Sequence, residues 1–382
     1  MSHSFSAPGR VNLIGEHTDY TGGLVMPMAI PFSTSATIST SDDGLYHFQS
    51  DHFEEVRSMS PNEVSSRRKD WSDYPIGVLR ELQALGMKPA PFHLRLIGDV
   101  PIRAGLSSSA SVEVATAMAL LSYCGKALTP KEIAWLCQRA ENSYVGSPCG
   151  IMDQFVVTAA VAATAMLLDT RDLAFELLPL NRGDLSECLF VVANSGVKHS
   201  IAEGEYGLRR REVETGQSIL CRRFPQVRDL GDASLRHLLQ CRDEMTNESF
   251  RRCRHIITEN ERVRQAKAAI LKGDPLALGQ IMTAAHASER DDFACSVEEV
   301  DFLVDTAIRF PGCYGARLTG GGFGGCTVNL VRAEETEVFA ASIHDQFKQC
   351  FGLDADIYVC DAVGGAIARN EAIVANVSGG AE

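Results

Sequence analysis

Several signatures that would assign a chemistry at once are missing from this sequence. Its twelve cysteines all lie between Cys124 and Cys360, and no two form a C-x-x-C pair. A zinc knuckle or a thioredoxin-type redox pair therefore has no footing, and free thiols are expected. No G-x-x-x-x-G-K-[ST] string occurs, which excludes a P-loop nucleotidase. Long hydrophobic runs are also lacking. The longest apolar-leaning stretch, Phe155 to Leu168, stops at Asp169 and reaches about two-thirds of a membrane span. The opening MSHSFSAPGR has no apolar core of a secretory signal, so a cytoplasmic protein with no membrane partner is expected.

Positive charge is in short supply as well. Lys and Arg number 36 against 49 Asp and Glu, for a net charge of −13. That balance argues against a nucleic-acid partner, while a local positive site for a phosphorylated ligand stays open. What is present is ordinary: 45% hydrophobic and 22% charged residues, the proportions of a soluble globular protein. A length of 382 residues favours two domains.

The first hundred residues read mostly as strands. LVMPMAIPFSTSATIST is rich in β-branched residues, and FHLRLIGDVP alternates with period two. Between them WSDYPIGVLRELQALG has helical spacing at Ile76, Leu79, Leu82 and Leu85 and stops at Gly86. AGLSSSASVEVATAMALLSYCG predicts a Gly and Ser-rich turn entering a helix that Gly125 ends. TPKEIAWLCQRAENSYVG predicts another, with Thr129 as N-cap and Pro130 in first position. Strands are expected in ATAMLLDTRDL and CLFVVANSGV, with a domain boundary at Pro179 between residues 1–178 and 179–382. The helices at Arg209 to Phe224 and Ser249 to Leu271 are the most basic, and their charge is read as a solvated face. CYGARLTGGGFGGCTVNLVR reads strand, turn, strand, so the class is α+β with mixed sheets.

Four stretches carry candidate chemistry. APGRVNLIGEHTDYTGG, Ala7 to Gly23, packs an Arg, an Asn, a Glu, a His, an Asp and a Tyr beside buried apolar positions; such variety suits a small, highly polar ligand. GLSSSAS, Gly105 to Ser111, leads straight into an apolar helix. The free amides and positive dipole end of that helix, with hydroxyls beyond capping needs, suit phosphate oxygens and Mg²⁺. GGGFGG satisfies G-x-G-x-x-G at Gly320, Gly322 and Gly325, but a strand follows where a dinucleotide fold needs a helix. Close approach of its backbone to a ligand is the better reading. Finally, Glu141 and Asp153 stand in apolar surroundings, twelve residues apart. Buried carboxylates must be paired or functional; spacing alone leaves a structural ion pair as open as a metal ligand and a hydroxyl-orienting group.

In this order the motifs resemble the GHMP superfamily of small-molecule kinases, and within it the galactokinase family, over nearly the whole chain. The resemblance implies a two-domain fold with the active site between the domains. The N-terminal domain would be of the ribosomal-protein-S5-domain-2 type and the C-terminal one a ferredoxin-like α/β domain. It implies Mg²⁺-dependent transfer of the ATP γ-phosphoryl group to the C1 hydroxyl of D-galactose by a monomer. A kinase for a related sugar and a silent sugar-sensing regulator are the alternatives. Carried onto this sequence, Asp153 and Arg10 would be catalytic, with Glu16, His17, Asp19, Gly150 and Tyr206 binding the sugar. Ser109, or Ser108, would hold the metal with Glu141. Gly105, Leu106, Ser107, Ser108, Ser109, Ala110 and Ser111 would bind the nucleotide, together with Gly321, Gly322 and, beside adenine, Trp71. One departure stands out: Glu289 occupies a position where the family usually has Leu.

Overall fold

The computed structural model describes residues 3–63, 67–102, 104–198 and 202–370. Its strands are β1 (His3–Asn12), β2 (Leu24–Val25), β3 (Pro27–Thr40), β4 (Tyr46–Ser50), β5 (Phe53–Met59), β6 (Phe92–Gly98), β7 (Thr164–Asp169), β8 (Phe175–Pro179), β9 (Cys188–Lys198), β10 (Cys313–Thr319), β11 (Gly324–Arg332) and β12 (Asp356–Cys360). Its helices are α1 (Asp73–Ala84), α2 (Ser108–Tyr123), α3 (Pro130–Arg139), α4 (Met152–Ala159), α5 (Ala202–Arg223), α6 (Leu235–Gln240), α7 (Asn247–Lys272), α8 (Pro275–Ser288), α9 (Glu298–Arg309), α10 (Thr336–Phe351) and α11 (Ala366–Arg369). Among these residues no helix is long and apolar enough to cross a membrane. The twelve cysteines are all free thiols.

The first sheet has the order β1-β3-β6-β4-β5 and is mixed, since β4 pairs parallel with β6. The period-two pattern in β6 does what it predicts: Phe92, Leu94 and Leu96 are buried, and His93 and Arg95 face out. With α1 to α4 this sheet encloses one core. A second sheet, β2-β7-β8, adds a strand, β8, that the sequence reading passes over. The third, β10-β11-β9-β12, is antiparallel. Counted from β9 its order is 4-1-3-2, with helices between its first and second and its third and fourth strands. That is the β-α-β-β-α-β arrangement expected of a ferredoxin-like half.

Alternation along β9 divides the third sheet between two cores. Val191 and Ala193 face α9 and α10, while Phe190 and Val192 face the start of the chain. On that second side Val11, Leu13, Ile14, Met26 and Met28 pack with Val263 of α7 and Met282 of α8. Each such side chain, fully buried, contributes about 1.5–3 kcal/mol. The seam between the two halves is therefore a hydrophobic core, and the loop after β1 starts on it. The last described residues return to the first sheet, where Asn370 donates to the Ser6 carbonyl at 2.8 Å.

Local signals explain the helix ends. Thr129 accepts from the Glu132 amide and Glu132 accepts from Thr129 in return, with Pro130 opening α3. That helix does not run on in one form, however. It widens into a π-helical turn, Ala140–Val145, at whose start Glu141 is buried; such widenings are common at functional sites. The two basic helices are less solvated than their composition implies. Arg252 is buried and paired with Glu212 at 2.8 Å, and Arg262 pairs with Glu259 at 2.7 Å.

Candidate active site

The loop after β1 is pinned by its own residues and by α7. Thr18 donates to the carbonyls of Gly15 and Leu24 at 2.9 and 2.7 Å and accepts from the amides of Thr21 and Gly23. The Gly15 amide donates to Glu259 and the Leu24 amide to Asn260. So fixed, the loop turns Glu16, His17 and Asp19 toward a cavity of about 140 Å³. His17 is buried and stacks on Phe293, centroids 4.0 Å apart. Burial first, then His255 and Arg317, lower its pKa well below the usual value, so the ring is neutral. The Asp19 carboxyl lies so close to Gly150 that a methyl group there would fall 1.8 Å from Oδ2. Burial, then Asp153 and Glu16, push Asp19 up to about 7.

On the opposite wall Arg10 and Asp153 form a two-pronged ion pair, Nε to Oδ1 at 2.9 Å and Nη2 to Oδ2 at 2.8 Å. Arg10 is itself tethered to the serine-rich loop, since its Nη1 donates to the Gly105 carbonyl at 2.5 Å and its amide to that of Leu106 at 3.1 Å. Gly105 and Ser107 both have φ near the left-handed region, +72° and +61°, which turns the chain into α2. Ser107 spends its hydroxyl on Asp153 at 2.5 Å. Ser111 spends its own on the fold, donating to the Ala7 carbonyl and accepting from the Thr34 amide. Ser108 and Ser109 open α2 with partly exposed side chains.

Behind the serine loop lies a knot of buried carboxyls. Ser109 stands close enough to Glu141 to oppose the rise of its pKa, and Gln154 donates from Nε2 to Glu141 at 2.8 Å and to Glu113 at 3.2 Å. Burial first, then repulsion from Asp153 and, at Glu113, from Glu141, raises both glutamates above the usual range. These donors are hard oxygens. Among the described residues no cluster of three or more His, Cys, Asp or Glu is arranged to hold a metal by itself. One carboxylate and one hydroxyl fit an ion that draws its other ligands from phosphate and water, as Mg²⁺ does.

The glycine-rich turn between β10 and β11 closes the third side. Gly320, with φ +94°, lies against Gly105, and a methyl group on it would be 3.7 Å from the Gly105 Cα. A methyl group on Gly321 would touch the Tyr206 ring at 3.8 Å. Gly322, with φ +82°, packs on Cys295, whose carbonyl accepts from the Phe323 amide at 2.6 Å.

The cavity is thus lined by Arg10, Glu16, His17, Asp19, Gly150, Asp153 and Tyr206 together, and by Gly321. The fold brings these together from positions up to three hundred residues apart. Trp71 is not among them; it stacks on Phe53, centroids 5.7 Å apart. A larger open groove of about 780 Å³ near Lys88 and Lys126 has no carboxylate in its lining. Sequence reasoning passed over Glu113, Gln154, Arg317 and Thr319. The signals were there in part: Glu113 is a lone charge in the apolar SVEVATAMALL, and Arg317 a lone charge in the strand YGARLT.

Three family profiles match the chain: the galactokinase galactose-binding signature over residues 2–40, the GHMP kinases N-terminal domain over 73–162, and the GHMP kinases C-terminal domain over 266–349. The chain is 41% identical to a galactokinase of Bos taurus, covering 94% of this chain and 91% of that one. It is 42% identical to a galactokinase of Streptomyces coelicolor, covering 96% and 93%. Among solved structures it superposes on Lactococcus lactis galactokinase complexed with galactose with a TM-score of 0.90 at 30% identity, over 95% and 94% of the two chains. Methanococcus jannaschii mevalonate kinase, at 19% identity, shares the fold with a TM-score of 0.68 over 95% and 99%.

Proposed function

The chain belongs to the galactokinase family of the GHMP kinases, and from that premise we propose that it transfers the γ-phosphoryl group of ATP to the C1 hydroxyl of D-galactose. The observation that carries this reading is the joining of two surfaces at one ion pair. Arg10 and Asp153 stand both in the lining of a small polar cavity and against the serine-rich loop. A sugar in the cavity has its acceptor hydroxyl at that junction.

Glu16 and Asp19 accept from sugar hydroxyls, and neutral His17 and Tyr206 donate or accept. A site that pairs each hydroxyl rejects an epimer by leaving buried groups unpaired. Asp153, held by Arg10 and Ser107, aligns the C1 hydroxyl, while Arg10 offsets charge developing on the transferring group. The amides at the start of α2 and the turn at Gly321 and Gly322 receive phosphate oxygens. Glu141 and Ser109 would hold Mg²⁺, which would offset phosphate charge there. A monomer as the active unit is part of this proposal. Cytoplasmic placement remains part of this proposal.

Release of ADP from Mg·ATP across galactose, glucose, 2-deoxygalactose, N-acetylgalactosamine, galacturonate and arabinose tests the reading. Strong turnover with galactose and little with glucose supports it. Another preferred sugar overturns the substrate, and binding without turnover on every sugar overturns the kinase.

A further inference from the structure

Arg317 lies on β10 and is completely buried. It does not line the cavity, yet its surroundings point there. Its Nη2 donates to Glu289, a carboxylate equally buried, and the same nitrogen lies 3.5 Å from Oε1 of Glu16. Its Nη1 reaches the Asn12 carbonyl at 3.4 Å. Glu16 Oε1 also accepts from the Gly320 amide at 2.9 Å and the Thr319 hydroxyl at 3.2 Å. Three positions of one strand end, 317, 319 and 320, therefore converge on a single carboxylate oxygen of the sugar loop. Glu16 still lines the cavity despite this anchoring.

We infer that Arg317 is the positioning residue for Glu16, holding that side chain against the cavity wall so that a sugar hydroxyl meets an oriented acceptor. The inference rests on the reading of Glu16 as a sugar ligand. A buried guanidinium costs several kcal/mol unless it is paired, and Glu289 supplies the pairing from behind. Electrostatics agree with the geometry. Burial raises the pKa of Glu16, and among the influences that oppose burial Arg317 comes first, ahead of the Gly320 amide, Arg10 and Asn12. A lysine keeps the charge but cannot span Asn12, Glu16 and Glu289 at once, because it lacks the planar fork.

The test is a double-mutant cycle on the full chain: wild type, Glu16→Gln, Arg317→Lys and the two combined. D-Galactose and a non-hydrolysable Mg·ATP analogue are titrated separately by calorimetry. Each single variant is expected to weaken galactose about tenfold while the nucleotide analogue stays within about twofold, and the double variant to be no worse than either, as coupled residues require. In turnover the loss falls on KM for galactose, with kcat at saturation within about threefold. Additive losses, or unchanged galactose affinity in Arg317→Lys, overturn the inference and leave Glu16 as a ligand. If Glu16→Gln alone spares galactose, the reading of Glu16 fails and the inference with it. Should Arg317→Lys not fold, the pair Arg317→Met with Glu289→Met removes both buried charges together and takes its place in the cycle.

Discussion

The guanidinium of Arg10 and the carboxylate of Asp153 are joined by two hydrogen bonds, 2.9 and 2.8 Å, although 143 residues separate them. The pair does more than neutralise two charges. Through the carbonyls of Gly105 and Leu106 it ties the end of the first strand to the serine-rich loop, and through Asp153 it reaches the first turn of α4. In that same turn Asp153 faces the cavity and Gln154 holds Glu141. One helical turn thus fixes the spacing between the proposed sugar pocket and the proposed metal ligand.

Replacing Asp153 by Asn keeps its shape and one acceptor for Arg10 but removes the charge. Turnover is expected to fall by about 10²–10⁴, with galactose affinity within a few-fold of normal. Single-turnover kinetics beside calorimetric titration check this. Near-normal turnover removes Asp153 from its role.

Gly150 tests the sugar wall sterically. Its backbone is not in the left-handed region, so alanine brings no strain of its own. The added methyl group would nevertheless meet Asp19 Oδ2 at 1.8 Å and Cγ at 2.4 Å. Gly150→Ala is expected to raise KM for galactose by about tenfold or more while sparing KM for ATP. Equal loss of both substrates would mean that the whole loop had shifted.

Asp19 carries a pH dependence whose sign follows from its surroundings. In the free protein its pKa stands at about 7 against an ordinary 3.8, through burial and then Asp153 and Glu16. A raised folded-state value favours folding fully below the ordinary pKa, and this contribution is lost as pH rises through about 7. The melting temperature of the free protein should therefore decline between about pH 4 and 7, and Asp19→Asn should flatten that decline. With ionised Asp19 as the proposed acceptor, galactose affinity should weaken as pH drops below about 7. The same variant should bind weakly with little pH dependence. Melting curves and titrations from pH 5 to 8 read both limbs.

Glu141 is tested without turnover. Glu141→Gln removes the proposed anionic metal ligand and is expected to weaken Mn²⁺ binding in the presence of ADP about tenfold or more. Galactose affinity should be unchanged. Electron paramagnetic resonance of free Mn²⁺ measures the first and calorimetry the second. Unaltered Mn²⁺ binding removes Glu141 from metal binding.

Much of this was legible along the chain because the signals are local. Thr129, Pro130 and Glu132 announce the start of α3, the alternation of β6 announces its buried face, and the glycines between β10 and β11 announce a turn. The polar string after β1 and the serine-rich loop likewise stand out by composition. Each depends on backbone preferences or on residues within one turn of one another. Where the local pattern was thin, as in the short β8 or the widened turn at Glu141, reading by period passed over the element.

The sequence by itself determined the course of α1, α2, α3, β6, β10 and β11, and which residue types are available for a sugar and a phosphate. Only the tertiary structure decided how those residues are spent. It assigned the Ser107 hydroxyl to Asp153 and the Ser111 hydroxyl to the first sheet. It brought Glu113 into contact with the same glutamine as Glu141, and it set Glu16 against Thr319, Gly320 and Arg317, three hundred residues away. The reason is physical. A buried charge or hydroxyl must find a partner, and in this protein the partners come from whichever strand or helix the packing of the seam brings alongside.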